Sequence, residues 1–281
     1  MTRLLSVILP AHDEADWIGG CLSALAASDP LPEGWGMEVL VVPNGCSDDT
    51  AGIARGQSPA FAARGWSLRV IELADGGKLG ALNRGDAEAA GDVRIYLDAD
   101  VTVSAPLLSQ IAGTLGTEAP RYASGTPHVA DARSATTRAY GRFWIRLPFV
   151  TTDAPGFGIF AMNVAGRARW GDWPDIISDD TFARLNFTPA ERVRLPASYS
   201  WPLVEGFANL VRVRRRQNIG VAEIAERFPD LERNAKPANL GKRMLLRMAL
   251  RDPGGFVVYA AVALAVKTPL YHSNNRWARG R

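Results

Sequence analysis

The feature that most constrains the fold is an alternation of short apolar runs and amphipathic segments through residues 4–98. Continuous runs rich in Val, Ile and Leu are typical of buried strands, and apolar residues spaced three or four apart are typical of helices. These patterns predict strands at 4–10, 37–43, 66–73 and 92–98, and helices at 15–28, 47–55 and 80–91. Strands joined by helices form right-handed crossovers, so we predict an α/β fold with a Rossmann-like, mostly parallel sheet flanked by helices.

The rest of the chain has a weaker pattern. We predict strands at 121–129 and 156–164, a helix start at 178–187, and a helical C-terminal extension at 205–218, 220–228, 240–251 and 254–267. Gly156 and Gly158 are expected to let the backbone approach a ligand closely. Ser47 or Asp48 is expected to cap the second helix. Because no internal repeat or Pro/Ser-rich linker interrupts the chain, we expect its parts to form one unit.

Composition excludes several classes of protein. Of the 281 residues, 47% are hydrophobic and 22% are charged, which is typical of a globular protein and not of a disordered one. The N-terminal segment becomes acidic before a signal peptide would be complete, and no apolar run reaches the length of a membrane-spanning helix. Cys21 and Cys46 form no disulfide framework and match no zinc-binding spacing. We therefore expect a cytoplasmic protein.

Charge is distributed unevenly along the chain. Residues 206–281 carry 15 Lys and Arg against 5 Asp and Glu, whereas the first 205 residues carry 17 against 24. A basic C-terminal region indicates an anionic partner, although a solvated helix face explains the arginines equally well. The apolar segment 254–267 is either a core helix or an interfacial helix that the nearby arginines help to hold on a membrane. The second case would suit a lipid-linked acceptor.

Polar side chains follow three of the predicted strands at the point where each strand ends. These are the cluster at residues 12–14, Asn44, and the pair Asp98 and Asp100. Ligands of open α/β sheets bind at the carboxyl ends of the strands, and residues i and i+2 of an extended segment point the same way. Oxygen ligands suit Mg²⁺ and Mn²⁺, so the two aspartates are predicted to hold a divalent cation beside a diphosphate. The alternative is a strand end closed by an Asx turn.

Four motifs occur in order through the first hundred residues or so: PAHDEADW, VVPNGCSDDT, GGKLGALNRG and DADV. Together they resemble the P-x-x-N-E, V-V-D-D-G-S-x-D-x-T, G-x-x-x-A-x-N-x-G and D-x-D patterns of glycosyltransferase family 2, which has the GT-A fold. Four positions depart from these patterns. Asp13 replaces Asn, Pro43 and Asn44 replace two acids, and Cys46 replaces Ser. The change at Asn44 leaves the donor's base, uracil or guanine, open.

The resemblance implies a donor of the nucleotide-diphospho-sugar class. Glu14 and Asn44 are expected to line the nucleoside pocket and Lys78 to lie near the base or the phosphates. Asp98 is expected to contact ribose or metal, and Asp100 to bind Mg²⁺ or Mn²⁺ directly. The full donor-binding set implied by the family is Pro10, His12, Glu14, Asn44, Lys78, Asn83, Asp98, Ala99 and Arg216. The resemblance also divides the chain into a nucleotide-sugar-binding half at 1–104, an acceptor-binding half at 105–205 and a basic helical region at 206–281.

A later segment, IISDDTFARL, resembles the acidic motif whose second acid usually serves as catalytic base in the family. That acid corresponds to Asp180, with Asp179 as its neighbour, and Asp172 and Asp175 are further candidates. A base of this kind would take the proton of an acceptor hydroxyl, and direct displacement would invert the anomeric carbon. The alternative is that Asp179 and Asp180 simply stabilise a helix N-terminus.

The segment VRRRQ, residues 213–217, lies where processive members of the family carry Q-x-x-R-W. Arg216 is kept, but the glutamine and the tryptophan are absent. The resemblance therefore implies transfer of a single sugar to an acceptor hydroxyl and not polymer synthesis. Arg216 is expected to contact phosphate, which guanidinium groups bind well.

Three other functions fit parts of the sequence. DADVT and GDWPD resemble motifs of haloacid-dehalogenase-type phosphatases, but the four lysines (Lys78, Lys236, Lys242 and Lys267) leave the interval between these motifs without the lysine such enzymes need. A sugar-phosphate nucleotidyltransferase would need a glycine-rich signature after the first strand. A nucleic-acid-binding protein would need a recognisable motif or interleaved aromatic residues in the basic region, so no nucleic acid is expected as a partner.

Overall fold

Eight strands form a single mixed sheet in the computed structural model, which describes residues 3–235, 241–269 and 271. The remaining positions, including residue 240 of a predicted helix and the end of the basic region, lie outside the described residues. The strands are β1 (Arg3–Ala11), β2 (Trp35–Pro43), β3 (Ser67–Val70), β4 (Val93–Leu97), β5 (Thr102–Val103), β6 (Tyr122–Val129), β7 (Ile159–Asn163) and β8 (Arg192–Trp201). Their order across the sheet is β3-β2-β1-β4-β7-β6-β8-β5.

The first half of the sheet is parallel, as the sequence predicts. β1 pairs in parallel with β2 and β4, and β2 pairs in parallel with β3. Residues 5–11 of β1 are all buried, which explains why this strand is a continuous apolar run without polar alternation. β3 ends at Val70, three residues before its predicted end, although Leu73 still bridges Asn44 beside the sheet.

Helices connect the parallel strands. They are α1 (Ala15–Ala26), α2 (Thr50–Gly56), α3 (Ser58–Ala62) and α4 (Lys78–Glu88). The predicted cap of α2 was wrong, because the residue preceding the helix is Asp49. Asp48 has a different role: its carboxylate accepts hydrogen bonds from the backbone N–H groups of Thr50 and Ala15, each at 3.0 Å. It thereby joins the start of α1 to the start of α2.

The second half of the sheet is mixed. β7 is antiparallel to β4 and to β6, β8 is parallel to β6, and β5 is antiparallel to β8. Its helices are α5 (Leu107–Leu115), α6 (Ala135–Trp144), α7 (Pro148–Thr151), α8 (Val164–Arg167) and α9 (Asp179–Leu185). In the order β3-β2-β1-β4 the strand order reverses between the parallel strands β1 and β4, and the segment 98–100 leaves the sheet at the carboxyl end of β4. Such switch points are the usual binding sites of open α/β sheets.

The C-terminal extension consists of α10 (Phe207–Arg227), a short 3₁₀ helix (Pro229–Asn234), α11 (Lys242–Arg251) and α12 (Pro253–Ala265). The sequence predicts two helices where the structure has the single helix α10. Gly220 suggested the break, but its role is packing: a Cβ there would lie 2.2 Å from Oγ of Ser178. The missing side chain lets α10 lie directly against the start of α9.

Two arginines of α10 hold α12 in place. Arg214 donates to the hydroxyls of Tyr140 at 3.1 Å and Tyr259 at 2.9 Å. Arg215 donates to the carbonyl oxygens of Ala265 and Thr268, where its charge complements the C-terminal end of the α12 dipole. These arginines therefore form contacts within the protein and do not make up a solvated face.

Candidate active site

A pocket of 610 Å³ opens at the carboxyl ends of β1, β2 and β4. The structure brings together most of the residues expected at a donor site: Pro10, His12, Glu14, Asn44, Lys78, Asp98, Ala99, Asp100, Asp179 and Arg216 line it. Asn83 does not. Its side chain bonds to the backbone N–H and carbonyl of Trp173, at 2.7 Å and 3.5 Å, and so ties α4 to a loop outside the pocket.

The loop after β1 is held in an unusual conformation. Asp13 has a φ of 49°, in the left-handed region that Asp and Asn tolerate better than other side chains except glycine. Its carboxylate accepts hydrogen bonds from the backbone N–H of Ser47 at 2.6 Å and from the Ser47 hydroxyl at 3.1 Å. The backbone bond is the main cause that lowers the pKa of Asp13 below its usual value. A short acidic or amide side chain is therefore required here to fix the pocket rim.

Asn44 forms part of the pocket wall. It is 2% exposed, and its amide donates to the carbonyls of Ala11 at 2.8 Å and Val42 at 3.2 Å. Its side-chain oxygen accepts from the backbone N–H of Gly77 at 2.9 Å. These bonds hold the ends of β1 and β2 against the turn before α4. The structure therefore does not support the expected recognition of a base by the Asn44 side chain.

Lys78 connects two acidic segments. Its ammonium lies 2.9 Å from Oδ1 of Asp98 and 3.0 Å from Oδ2 of Asp179. Burial lowers the pKa of Lys78, but the two carboxylates outweigh burial and raise it well above its usual range. Lys78 is therefore charged at neutral pH, and it joins the end of β4 to the first turn of α9.

Asp180, next to Asp179 at the start of α9, has a different environment. Its carboxylate accepts from the backbone N–H of Thr181 at 2.6 Å, and among the described residues no Lys, Arg or His nitrogen lies within 4.0 Å. Burial, followed by the negative charge of Asp179, raises the pKa of Asp180 to about 6. Asp180 is half-buried, and a carboxylate with a raised pKa and no paired cation among the described residues is suited to accept a proton.

A second cavity, of 490 Å³, lies on the other side of Asp180. Its lining includes the aromatic rings of Trp144, Phe149 and Phe157 and two basic side chains, Arg184 and Arg214. A smaller cavity of 110 Å³ lies between the two spaces and is lined by residues of both, including Asp180. No sequence pattern indicates the second cavity, because its residues come from α6, α7, α9, α10, the loop before β7 and the 3₁₀ helix, and each is unremarkable in its own segment.

Gly156 and Gly158 line the smaller cavity, and both have positive φ values, of 80° and 68°. A Cβ at Gly156 would lie 2.0 Å from the hydroxyl of Tyr122, and one at Gly158 would lie 2.6 Å from Val101. The close approach predicted from these glycines is thus an approach to protein side chains. The ligand contact expected there stays a prediction.

Arg216 interacts electrostatically with three acids of the site, Asp179, Asp98 and Asp180. It lines both the pocket at the strand ends and the smaller cavity. Burial lowers the pKa of Arg216, against the opposite effect of Asp179, Asp98 and Asp180. A guanidinium at this place is well positioned for a phosphate in the pocket, as the sequence predicts. Asp172 and Asp175, the further candidates for a base, are exposed and line none of the three spaces.

Two groups of side chains in the pocket have the chemistry of metal ligands. Asp98 and Asp100 offer carboxylate oxygens, and since Mg²⁺ typically takes one or two carboxylates together with water and phosphate, this set fits a hard divalent cation. Asp98 also forms an ion pair with Lys78, so a cation bound by both aspartates would share Asp98 with this lysine. His12, Asp13 and Cys46 also lie together, with ligand atoms within 4.8 Å of one another, but a thiolate and an imidazole suit softer metals.

Comparison with known proteins decides the family. The family model described as Glycosyl transferase family 2 matches residues 6–168, which is more than half of the chain. The chain belongs to glycosyltransferase family 2. The four sequence motifs described above lie within residues 6–168, so the match confirms the family resemblance inferred from them.

Individual sugar-transferring proteins match parts of the chain. The glucosyl-3-phosphoglycerate synthase of Mycolicibacterium paratuberculosis is 32% identical over 105 residues, which cover 37% of this chain and 31% of that protein. The dolichyl-phosphate beta-glucosyltransferase of Drosophila melanogaster is 32% identical over 123 residues, 42% of this chain and 37% of that protein. The chain thus matches about a third of the length of these two relatives.

Solved structures establish the fold. A mannosyltransferase from Pyrobaculum calidifontis, in complex with GDP-Man and Mn²⁺, has a TM-score of 0.60 at 19% identity and covers 95% of this chain and 77% of its own. TarS 1-349 of S. aureus, in complex with UDP-GlcNAc, has a TM-score of 0.53 at 18% identity and covers 93% and 81%. The predicted GT-A fold, with its helical extension, is confirmed.

Proposed function

We propose that the protein is a metal-dependent, inverting glycosyltransferase that moves one sugar from a nucleotide-diphospho-sugar to an acceptor hydroxyl. The observation that carries the proposal is the position of Asp180. This carboxylate, with a raised pKa and no paired cation among the described residues, lies between the pocket at the strand ends and a second cavity. A base between a donor and an acceptor is what a direct displacement requires.

The donor would lie in the pocket of 610 Å³, with its nucleoside near His12 and Glu14 and its diphosphate near Lys78 and Arg216. Asp100, assisted by Asp98, would hold a divalent cation, Mg²⁺ or Mn²⁺, which when bound supplies positive charge to the leaving diphosphate. The complexes of similar folds with GDP-Man and with UDP-GlcNAc support a donor of the GDP or UDP type. The sugar and the base are left open.

In the proposed transfer step, Asp180 is the base between the bound acceptor and the bound donor. An acceptor hydroxyl loses its proton to the Asp180 carboxylate while its oxygen forms a bond to the anomeric carbon. The bond from that carbon to the diphosphate oxygen breaks, and its electron pair leaves with the diphosphate. Attack from the side opposite the leaving group inverts the anomeric carbon. The absence of the Q-x-x-R-W glutamine and tryptophan around Arg216 supports the addition of a single sugar.

A thermal-shift screen of nucleoside diphosphates tests the donor assignment. With Mn²⁺ present, we expect either UDP or GDP to raise the Tm, because a ligand that binds the folded state alone at a hundred times its Kd stabilises it by about 2.7 kcal/mol. Without Mn²⁺, the shift should be much smaller. CDP and ADP serve as controls for base selection. A chain whose Tm responds to none of the four, with or without the metal, is not a nucleotide-sugar transferase of this kind.

We also propose that α11 holds the protein against the cytoplasmic face of an anionic membrane, where a lipid-linked acceptor would be found. Within residues 3–235, 241–269 and 271, no helix is both long and apolar enough to cross a bilayer. In α11, however, Leu246 is 60% exposed and Leu250 is 75% exposed, and Arg243 and Arg247 are exposed beside them. An amphipathic basic helix with exposed leucines is typical of interfacial binding.

Co-sedimentation with vesicles tests this membrane contact. We expect binding to phosphatidylcholine vesicles that contain phosphatidylglycerol at low salt, weaker binding at high salt, and loss of binding in the double variant Leu246→Glu/Leu250→Glu. Val164→Glu, which changes an exposed valine of α8, is the matched control and should bind normally. Equal sedimentation of the double variant and the wild type would refute the role of α11.

A further inference from the structure

The second cavity contains a positive charge that no acid of the described residues neutralises. Arg214 lines this cavity, and no carboxylate oxygen of those residues lies within 4.0 Å of its guanidinium nitrogens. The neighbouring cation, Arg184, is paired with Asp153 at 3.2 Å. Asp153, Asp180 and Glu232 also line the cavity, but none of them is within ion-pair distance of Arg214. Arg214 is therefore a cation at the cavity surface that has no paired carboxylate among the described residues.

Arg214 is held in a fixed orientation by neutral groups. Its two terminal nitrogens donate to the hydroxyls of Tyr140 and Tyr259, and its guanidinium lies 4.5 Å from the centre of the Tyr259 ring. Burial raises the pKa of the Tyr140 hydroxyl, so this group stays uncharged at neutral pH. A guanidinium has five N–H donors in a planar fork, and the two tyrosine bonds leave others for a ligand.

Part of the cavity lining is apolar and aromatic. The ring of Trp144 lies 5.7 Å from that of Phe149 and 5.2 Å from that of Phe157, and Phe149 is 38% exposed. Rings in this arrangement present an apolar surface to a ring face or a chain. A molecule in the cavity would thus meet three different surfaces: aromatic rings, the Arg214 cation and the Asp180 carboxylate.

We propose that the second cavity is the acceptor subsite and that the acceptor carries an anionic group, a phosphate or a carboxylate, which Arg214 binds. The acceptor's apolar body packs on Trp144, Phe149 and Phe157, and its hydroxyl reaches Asp180. The assignment of the cavity to the acceptor rests on the proposed function. The anion preference rests on the Arg214 guanidinium, which is bonded to neutral hydroxyls and has no paired carboxylate among the described residues, and it is tested without any sugar donor.

Isothermal titration with small probes tests the anion site. Phenyl phosphate and benzoate combine a ring with each candidate anion, inorganic phosphate lacks the ring, and benzyl alcohol lacks the charge. We expect phenyl phosphate or benzoate to bind more tightly than the other two probes, and the tighter of the pair identifies the anion class. Arg214→Met should weaken that binding by about tenfold or more, because hydrogen bonds to charged groups are worth roughly twice neutral ones.

Four further measurements separate recognition from folding. Arg214→Lys keeps the charge and should retain most of the affinity. Tyr259→Phe removes a bond that orients Arg214 but keeps the cation, and it should bind the probe within a few-fold of wild type. Arg212→Met changes an exposed arginine of the same helix that does not line the cavity, and it should have no effect. Saturating UDP or GDP with Mn²⁺ should not displace the probe.

Three results would overturn the proposal: Arg214→Met binding as tightly as wild type, benzyl alcohol binding as tightly as phenyl phosphate and benzoate, or displacement of the probe by nucleotide, which would put it in the donor pocket. If no nucleotide raises the Tm while the anionic probe still depends on Arg214, the proposed transferase activity fails and the anion site stands. If nucleotides bind but the probe does not depend on Arg214, the acceptor proposal fails alone.

Discussion

Asp180→Asn is expected to reduce kcat for sugar transfer by roughly 10²–10⁴-fold, the usual contribution of a positioned general base. The amide has nearly the shape of the carboxylate, and it can still accept from the backbone N–H of Thr181. It cannot take a proton from the acceptor hydroxyl. The variant should keep wild-type affinity for the nucleotide with Mn²⁺, because the donor's contacts are on the other side of this residue. Steady-state kinetics and the thermal-shift assay measure the two quantities separately.

Two matched variants control for a general loss of negative charge. Asp172→Asn changes an exposed aspartate outside the three spaces and should leave kcat unchanged. Asp179→Asn changes the neighbouring acid but weakens the ion pair with Lys78, so it should impair donor binding as well as kcat. An Asp180→Asn protein that folds and retains more than about a tenth of wild-type kcat would assign the base to another group.

The pH dependence of kcat/KM provides a second test of Asp180. A base works in its deprotonated form, and burial together with the charge of Asp179 raises the pKa of this carboxyl to about 6. The rate should therefore be constant near neutrality and fall as the pH drops through about 6. kcat/KM is the informative parameter, since it reports the free enzyme. If kcat/KM stays unchanged from neutral pH down to pH 4, Asp180 is not the base.

The parallel half of the fold could be predicted because three of its four strands are buried on both faces. β1, β2 and β4 are continuous apolar runs, and the helices between them have clear spacing. β8 was missed, because its exposed and half-buried positions alternate irregularly with buried ones and it includes three charged or proline residues. α10 was divided in two, because a glycine weakens a helical pattern whether it breaks the helix or allows a close contact.

The candidate site was predictable to the extent that it depends on strand ends. The rule that ligands bind at carboxyl ends of parallel strands brings His12, Glu14, Asp98 and Asp100 together without knowledge of the structure. The rule does not predict which partners a polar side chain bonds within the protein. Asn44 was expected to face the ligand, but its amide holds the ends of two strands. The ion pairs of Lys78 link residues 20 and 101 positions apart in the chain, and no local pattern contains such a link.

Asp100→Asn should weaken Mn²⁺ binding by more than about a hundredfold, because replacement even of a group that only supports a metal ligand typically costs tenfold to a hundredfold. The metal-dependent part of the nucleotide's Tm shift should disappear with it. Electron paramagnetic resonance of Mn²⁺ measures the affinity directly and needs neither acceptor nor turnover. Asp29→Asn, at an exposed position far along the chain from the motif, is the control and should bind Mn²⁺ as the wild type does.

The variant Asp98→Asn tests how much Asp98, compared with Asp100, contributes to Mn²⁺ binding. The Asp98 carboxylate is 2.9 Å from the Lys78 ammonium, which already balances part of its charge. Its loss should weaken Mn²⁺ binding less than Asp100→Asn does, and it should leave Lys78 paired with Asp179 alone. Equal loss of Mn²⁺ affinity in the two variants would show that both carboxylates bind the ion, and Lys78 would then have to leave Asp98 when the metal arrives. If both variants bind Mn²⁺ as tightly as the wild type, the cation does not bind at these aspartates. The proposed mechanism would then lack the positive charge that neutralises the leaving diphosphate.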